Sequence, residues 1–370
     1  MTRLGDVCAI RYGKDHKKLS DGSIPAYGSG GIIRYVDTAI CEKPSVLIPR
    51  KGTLGNLFYT DKPFWTVDTL FWTNIDQTKI VPKYLYYQLK QKDLASYNVG
   101  TAVPSLTVEI LNEIDFEVPS IDKQKRIVEV LNSFDSKIAL NNQLNDYLEQ
   151  LCQSLFNRFD NDENNPFVKV SDIADVNPRR TLKKGEEALC IEMADLSTTG
   201  AFPTDWRTKA YNGGVKFVNG DTILARITPC LENGKAGYIN FLEQDEVAFG
   251  STEYIVLTSK GELPSEFFYF LARNEDFISY ATAHMNGSSG RQRVSGSDVG
   301  NYEVRMPSEK QISEFRKIAG NAMRVISASS IESRKLAQLR DALLPKLMSG
   351  EIDASKVELT QLTNNHLAAC

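Results

Sequence analysis

Arg50 and Arg226 each follow a short β-branched run, Val46-Leu47-Ile48 and Thr222-Ile223-Leu224, and each opens a loop with further donors. Lys51 and Thr53 continue the first loop, and Lys235 closes the second. Gly28-Ser29-Gly30-Gly31 and Gly287-Ser288-Ser289-Gly290 offer backbone N–H groups with no bulky Cβ beside them. Arg291, Gln292 and Arg293 follow the second of these loops: two forked guanidiniums suited to guanine edges and an amide suited to adenine. Lys14, Lys17 and Lys18 cluster beside Arg11, and Thr101 lies in another loop of the same kind. Such donors grip phosphate oxygens and base edges. The candidate nucleic-acid contacts are therefore Lys14, Lys17, Lys18, Ser29, Arg50, Lys51, Thr53, Thr101, Arg226, Lys235, Ser288, Arg291, Gln292 and Arg293.

Several of these residues recur in equivalent places because the chain says most things twice. VPKYLYYQL (81–89) has a partner in LPSEFFYFL (263–271), and SVLIPRKGTLGN (45–56) in DTILARITPCLENGK (221–235). NVGTAVPSLT (98–107) pairs with MNGSSGRQRVS (285–295), and FEVPSIDKQ (116–124) with YEVRMPSEKQ (302–311). The offset, drifting around about 180 residues, far exceeds solenoid periods, so a whole domain is duplicated. Each copy reads as strands bounded by Gly, Pro and Asp, one of them running from Phe64 to Trp72, then a helix over 82–97 started by Pro82. The fold class is α+β.

A long helix follows each copy. Its apolar positions keep a 4-3 spacing through Ile127, Leu131, Phe134, Ile138, Asn141, Asn145, Leu148, Cys152, Leu155 and Phe159. The second reads Phe315, Ala319, Ala322, Ile326, Ser329, Ser333, Leu336, Arg340, Leu343 and Leu347, with Pro345 expected to end it. Seams of this length predict a coiled coil. The polar pairs at both centres, Asn141 with Asn145 and Ser329 with Ser333, would fix its register. Parallel and antiparallel packing both align these layers, and chain connection favours antiparallel. The resulting domains are 1–119, a helix over 120–160, 161–306, a helix over 307–350, and a tail over 351–370.

Catalysis finds no support. The chain lacks Gly-x-x-x-x-Gly-Lys-Ser/Thr, a Gly-x-Gly-x-x-Gly opening a helix, Gly-x-Ser-x-Gly and His-Glu-x-x-His. Its three His are scattered, Asn164-Asn165-Pro166-Phe167 reads as a linker, and carboxylates such as Glu232, Asp245 and Glu253 read as surface charge. Six widely spaced Cys form no zinc tetrad, so no residue is assigned to catalysis or to a metal. Neither an apolar leader nor an 18-residue apolar stretch is found, and a cytoplasmic protein is expected. The net charge of -4 argues against nucleic acid, but it is an average. Residues 1–100 carry about +5, from 14 Lys and Arg against 9 Asp and Glu, whereas 161–290 carry about -7, from 12 against 19.

Across essentially its whole length the sequence resembles the specificity subunits of type I restriction-modification systems. The segments that carry the resemblance are SVLIPRKGTLGNLFYTDKPFWTVDTLFWTN (45–74), GDTILARITPCLENGKAGYI (220–239), AFGSTEYIVL (248–257), MNGSSGRQRVS (285–295), KQKRIVEVLNSFDSKIALNNQLNDYLEQLCQSLF (123–156) and LRDALLPKLMSGEI (339–352). The resemblance implies two target recognition domains joined by two helices that form an antiparallel coiled coil. It implies a non-catalytic chain in which each domain reads half of a split, asymmetric DNA site. The helices would dock two modification (methyltransferase) subunits, with restriction subunits joining them. S-adenosylmethionine and ATP with Mg would then be cofactors of those partners, none being held by this chain. Two other readings stay open: a coiled-coil protein scaffold without sequence preference on DNA, and a related bipartite methyltransferase that lacks a restriction subunit. The 127–159 seam, about 48 Å at 1.5 Å per residue, would set a nonspecific spacer between half-sites more than about 34 Å apart. Deleting one heptad from both helices should shorten that spacer in mapped methylation sites, and an unchanged spacer would refute the ruler.

Overall fold

The computed structural model describes residues 1–100, 103–288 and 290–358. The chain divides into two compact units, one of residues 1–136 with 338 onward and one of residues 137–337.

In the first unit, Cys8–Tyr12, Leu70–Ile75, Ser45–Pro49 and Phe58–Thr60 form an antiparallel sheet in that order. Ser45–Pro49 is buried along its whole length, which is why it reads as an unbroken apolar run rather than an alternating one. A second sheet pairs the hairpin Asp21–Gly28 and Gly31–Val36 with Trp65–Thr66, the last in parallel. The aromatic run expected as one strand is thus two strands in two sheets. A turn at Val67 to Thr69, closed by Leu70 N–H donating to Val67 O at 3.0 Å, separates them. Helix Pro82–Lys90 packs Tyr84, Leu85, Tyr87 and Leu89 into the core. The expected helix over 82–97 stops at Lys90, because Asp93 accepts from Ala95 N–H and starts a separate 3-10 turn at Leu94–Tyr97.

The second unit repeats this order. Ala174–Val176, Tyr254–Ser259, Thr222–Ala225 and Ala236–Tyr238 form its antiparallel sheet, and Thr222–Ala225 is again wholly buried. Its other sheet runs Arg207–Ala210, Glu187–Ile191, Ala248–Gly250 and Val215–Phe217, with the same parallel pairing at its centre. Helix Glu266–Ala272 is buried from Phe267 to Ala272, and Phe267 meets Phe156 at 4.9 Å between ring centroids.

The two long helices span Ile121–Asp160 and Glu309–Ser349. Within residues 137–337 they run antiparallel: Phe159 faces Phe315 at 5.8 Å between centroids, and Lys137 pairs with Glu332 at 3.3 Å. Within the other unit Asp135 accepts from Arg340 at 2.6 Å, with Tyr87 donating to the same carboxylate at 2.5 Å. These partners hold the Asp135 carboxyl below its ordinary pKa against the upward push of burial, and they explain why a seam position can be Arg340.

Pro345 does not end the second helix, which continues to Ser349 and stops at Gly350 with φ +79°. Proline removes one hydrogen bond, but burial of Leu344, Leu347 and Met348 holds the last turn to the core. Beyond it, Asp353 caps a 3-10 turn, Ala354 is buried, and Arg126 donates to the Ala354 and Val357 carbonyls at 3.0 and 2.5 Å.

Candidate nucleic-acid interface

In the first unit the chain leaves the buried strand at Pro49 and crosses two other loops at once. Arg50 N–H donates to Thr69 O at 2.9 Å, Arg50 O accepts from Leu106 N–H at 3.0 Å, and Gly52 N–H donates to Pro104 O at 3.1 Å. In the second unit Arg226 N–H donates to Glu253 O at 3.0 Å, Arg226 O accepts from Val294 N–H at 3.0 Å, and Thr228 N–H donates to Gln292 O at 3.1 Å. The three bonds match one for one. Both Arg backbones are therefore pinned at the same point of the fold, where a strand end and two loops meet.

Around Arg50 the structure gathers several candidate residues. The guanidinium lies 5.3 Å from the centroid of the exposed Tyr12 ring and donates to Asp68 O at 3.3 Å, so it is stacked and oriented rather than loose. Lys51 bridges to Ser105, and Thr53 O closes a turn with Asn56 N–H at 3.2 Å. Ser29 comes alongside: its carbonyl accepts from Asn56 Nδ2 at 2.8 Å, and a Cβ on Gly52, φ +91°, would stand 3.6 Å from its Oγ. Lys14 is tied to the neighbouring strand, its N–H donating to Thr66 O and its carbonyl accepting from Trp65 Nε1. Lys17 and Lys18 are exposed on the turn beyond, and no contact among the described residues joins them to the Arg50 loop. Thr101 lies outside the described residues.

Around Arg226 the chemistry differs. Arg226 Nε is buried without a hydrogen-bond partner. Lys235 donates one N–H of its ammonium to Met193 O at 2.8 Å, which ties the side chain back onto the domain. Gln292 is half-buried, Arg291 and Ser288 are exposed, and Arg291 N–H donates to Ser288 O at 3.0 Å. Arg293 is held by Glu253, whose two oxygens accept from Nε at 3.0 and 2.9 Å and whose Oε1 accepts from Nη2 at 2.6 Å. The hydrogen bonds from Arg293, then its charge and that of Arg226, hold the Glu253 carboxyl below its ordinary pKa. Glu253, read from the sequence as surface charge, is the partner of Arg293 that sequence reading misses. Its position corresponds to Thr69 of the first copy, and that exchange of a hydroxyl for a carboxylate opposite an Arg is the signal that marks it.

On the helices, Asn141 Nδ2 donates to Ser329 O at 3.2 Å and lies 3.2 Å from Ser333 Oγ, while Asn145 Oδ1 accepts from Ser329 Oγ at 2.6 Å. The structure thus brings all four polar seam residues into one buried layer, to which Glu332 and Ser330 also contribute.

Residues 1–150 match the family model described as the type I restriction modification DNA specificity domain. Over those residues, 150 of the 370, the chain is similar to that domain, and its relatives are type I restriction enzyme specificity subunits. Among relatives, the MjaIX specificity subunit of Methanocaldococcus jannaschii is 23% identical, covering 86% of this chain and 80% of that one. The HindI specificity subunit of Haemophilus influenzae is 20% identical over 74% of this chain and 78% of its own. The crystal structure of the S subunit from M. genitalium superimposes with a TM-score of 0.58 at 18% identity, covering 94% of this chain and 95% of that one, and so shares the fold. Both relatives are named as specificity subunits of type I restriction enzymes. Among the described residues no helix is long and apolar enough to cross a membrane.

Proposed function

We propose that this chain is the sequence-reading subunit of a type I restriction-modification complex, each unit contacting one half of a bipartite, asymmetric DNA site. The observation that carries this reading is the matched crossing that pins Arg50 in one unit and Arg226 in the other with the same three backbone hydrogen bonds. One fold presents cations from one place, and the differing side chains around them give each half-site its own preference. Two modification (methyltransferase) subunits dock on the long helices and bring S-adenosylmethionine. Restriction subunits bring ATP and Mg. The exposed apolar row Leu140, Leu144, Tyr147 and Leu151 on the central helix is the surface we assign to a modification subunit. The complex would act on DNA in the cytoplasm.

Methylated adenines mapped in DNA exposed to the assembled complex should define one split motif, and methylation without a motif would sink the proposal. Arg50 and Lys18 separate the two kinds of contact. Arg50→Ala should cost about 1–3 kcal/mol and relax one position of one half-site. Lys18→Ala should weaken all duplexes alike and lower the salt slope by about one. Equal losses on every duplex for both variants, measured by fluorescence anisotropy across a salt series, would contradict these roles. A scaffold without sequence preference would show no relaxation in either.

A further inference from the structure

The Arg293–Glu253 pair has a geometry that the charge balance of the second unit conceals. A guanidinium carries five N–H donors. Glu253 takes the Nε donor and one on Nη2, and Arg291 O takes one on Nη1 at 3.0 Å. One donor remains on each terminal nitrogen. Two donors on the adjacent nitrogens of one guanidinium can meet O6 and N7 of guanine in the major groove. The backbone is held as firmly as the head: Arg293 exchanges both N–H···O bonds with Asn286 at 2.9 Å and bridges to Ile227 beside Arg226. A side chain restrained at both ends loses little freedom on binding. The corresponding positions of the first unit are Ser105 and Thr69, so it has no such fork.

Resting on the DNA-reading function above, we infer that Glu253 is a positioning residue that presents Arg293 end-on to one guanine, in only the half-site read by residues 137–337. The carboxylate also neutralises the guanidinium toward phosphates, so the pair contributes base selection rather than general attraction to DNA.

The test uses the full chain with its modification subunit and a duplex pool randomised over both half-sites. Wild type should select a guanine at one position that Arg293→Lys, which keeps the charge and loses the fork, no longer selects. Glu253→Gln should lower preference for that guanine roughly tenfold or more while binding to non-selected duplexes holds or tightens. A duplex with 7-deazaguanine at that position, which removes N7 and leaves the protein unaltered, should weaken wild type by a similar factor and leave Arg293→Lys unchanged. A Glu253→Gln variant that keeps the full guanine preference overturns the positioning role, as does indifference of wild type to 7-deazaguanine. Loss of binding to all duplexes in step with loss of folded protein in Glu253→Gln identifies a merely structural ion pair, provided the 7-deazaguanine duplex also binds normally. Failure of wild type to select any sequence overturns the DNA-reading function itself, and this proposal with it.

Discussion

Replacing Leu144 and Tyr147 together by Asp is expected to abolish assembly with the modification subunit while leaving the protein folded. Leu140, Leu144, Tyr147 and Leu151 recur at four, three and four residues and so share one face of the central helix. They remain 60, 42, 59 and 50% exposed, although the seam residues beside them, Asn141, Asn145 and Cys152, are buried. A row of large apolar side chains left in water, on the same helix as a buried apolar seam, suits the partner surface proposed above. Burying a carboxylate unpaired at the centre of such an interface costs at least about 2 kcal/mol, so two weaken association by roughly a thousandfold or more. Because the positions face solvent, circular dichroism and the melting temperature should stay close to wild type. The measurement is co-elution or calorimetric titration with the modification subunit, and undiminished assembly would move the docking surface elsewhere.

The second large effect is on stability. Phe315 is buried at the start of the C-terminal helix, and its ring lies 5.8, 6.1 and 5.8 Å between centroids from Phe159, Phe267 and Phe270. It joins both long helices to helix Glu266–Ala272, all within the unit of residues 137–337. Phe315→Ala removes the lost burial energy and leaves a cavity among rings that cannot close over it, about 3–5 kcal/mol. Against a typical total of about 5–15 kcal/mol, that is a large fraction of the unit's stability. Urea unfolding followed by fluorescence should show the midpoint falling steeply. A loss below about 1 kcal/mol would mean that the ring cluster rearranges to fill the space.

The duplication, the α+β class, the two helices and their polar centres were legible because each rests on a local or periodic signal. A 4-3 apolar spacing follows from the 3.6-residue turn of the backbone, and the period survives whatever packs against it. Other features were misread for physical reasons that lie outside any window. Pro345 is a stop signal by its own chemistry, yet the helix passes it because Leu347 and Met348 are buried beyond it. The run from Phe64 to Trp72 is apolar throughout, and only the turn at Val67 to Thr69 shows that it serves two sheets. Lys235 sits in a loop like Lys51, yet its ammonium is tied to Met193 O, 42 residues away in sequence.

By itself, the sequence determined which residue types stand at equivalent points of two copies and that a long helix follows each copy, because repetition and periodicity are properties of the chain alone. Tertiary structure alone decided which of those donors are occupied. Arg50 lies over Tyr12 and donates to a backbone carbonyl, whereas Arg293 meets a carboxylate 40 residues before it and keeps one donor on each terminal nitrogen. Whether a cation attracts phosphate generally or faces one base depends on angstrom-scale contacts between loops distant along the chain, and residue spacing does not encode those distances.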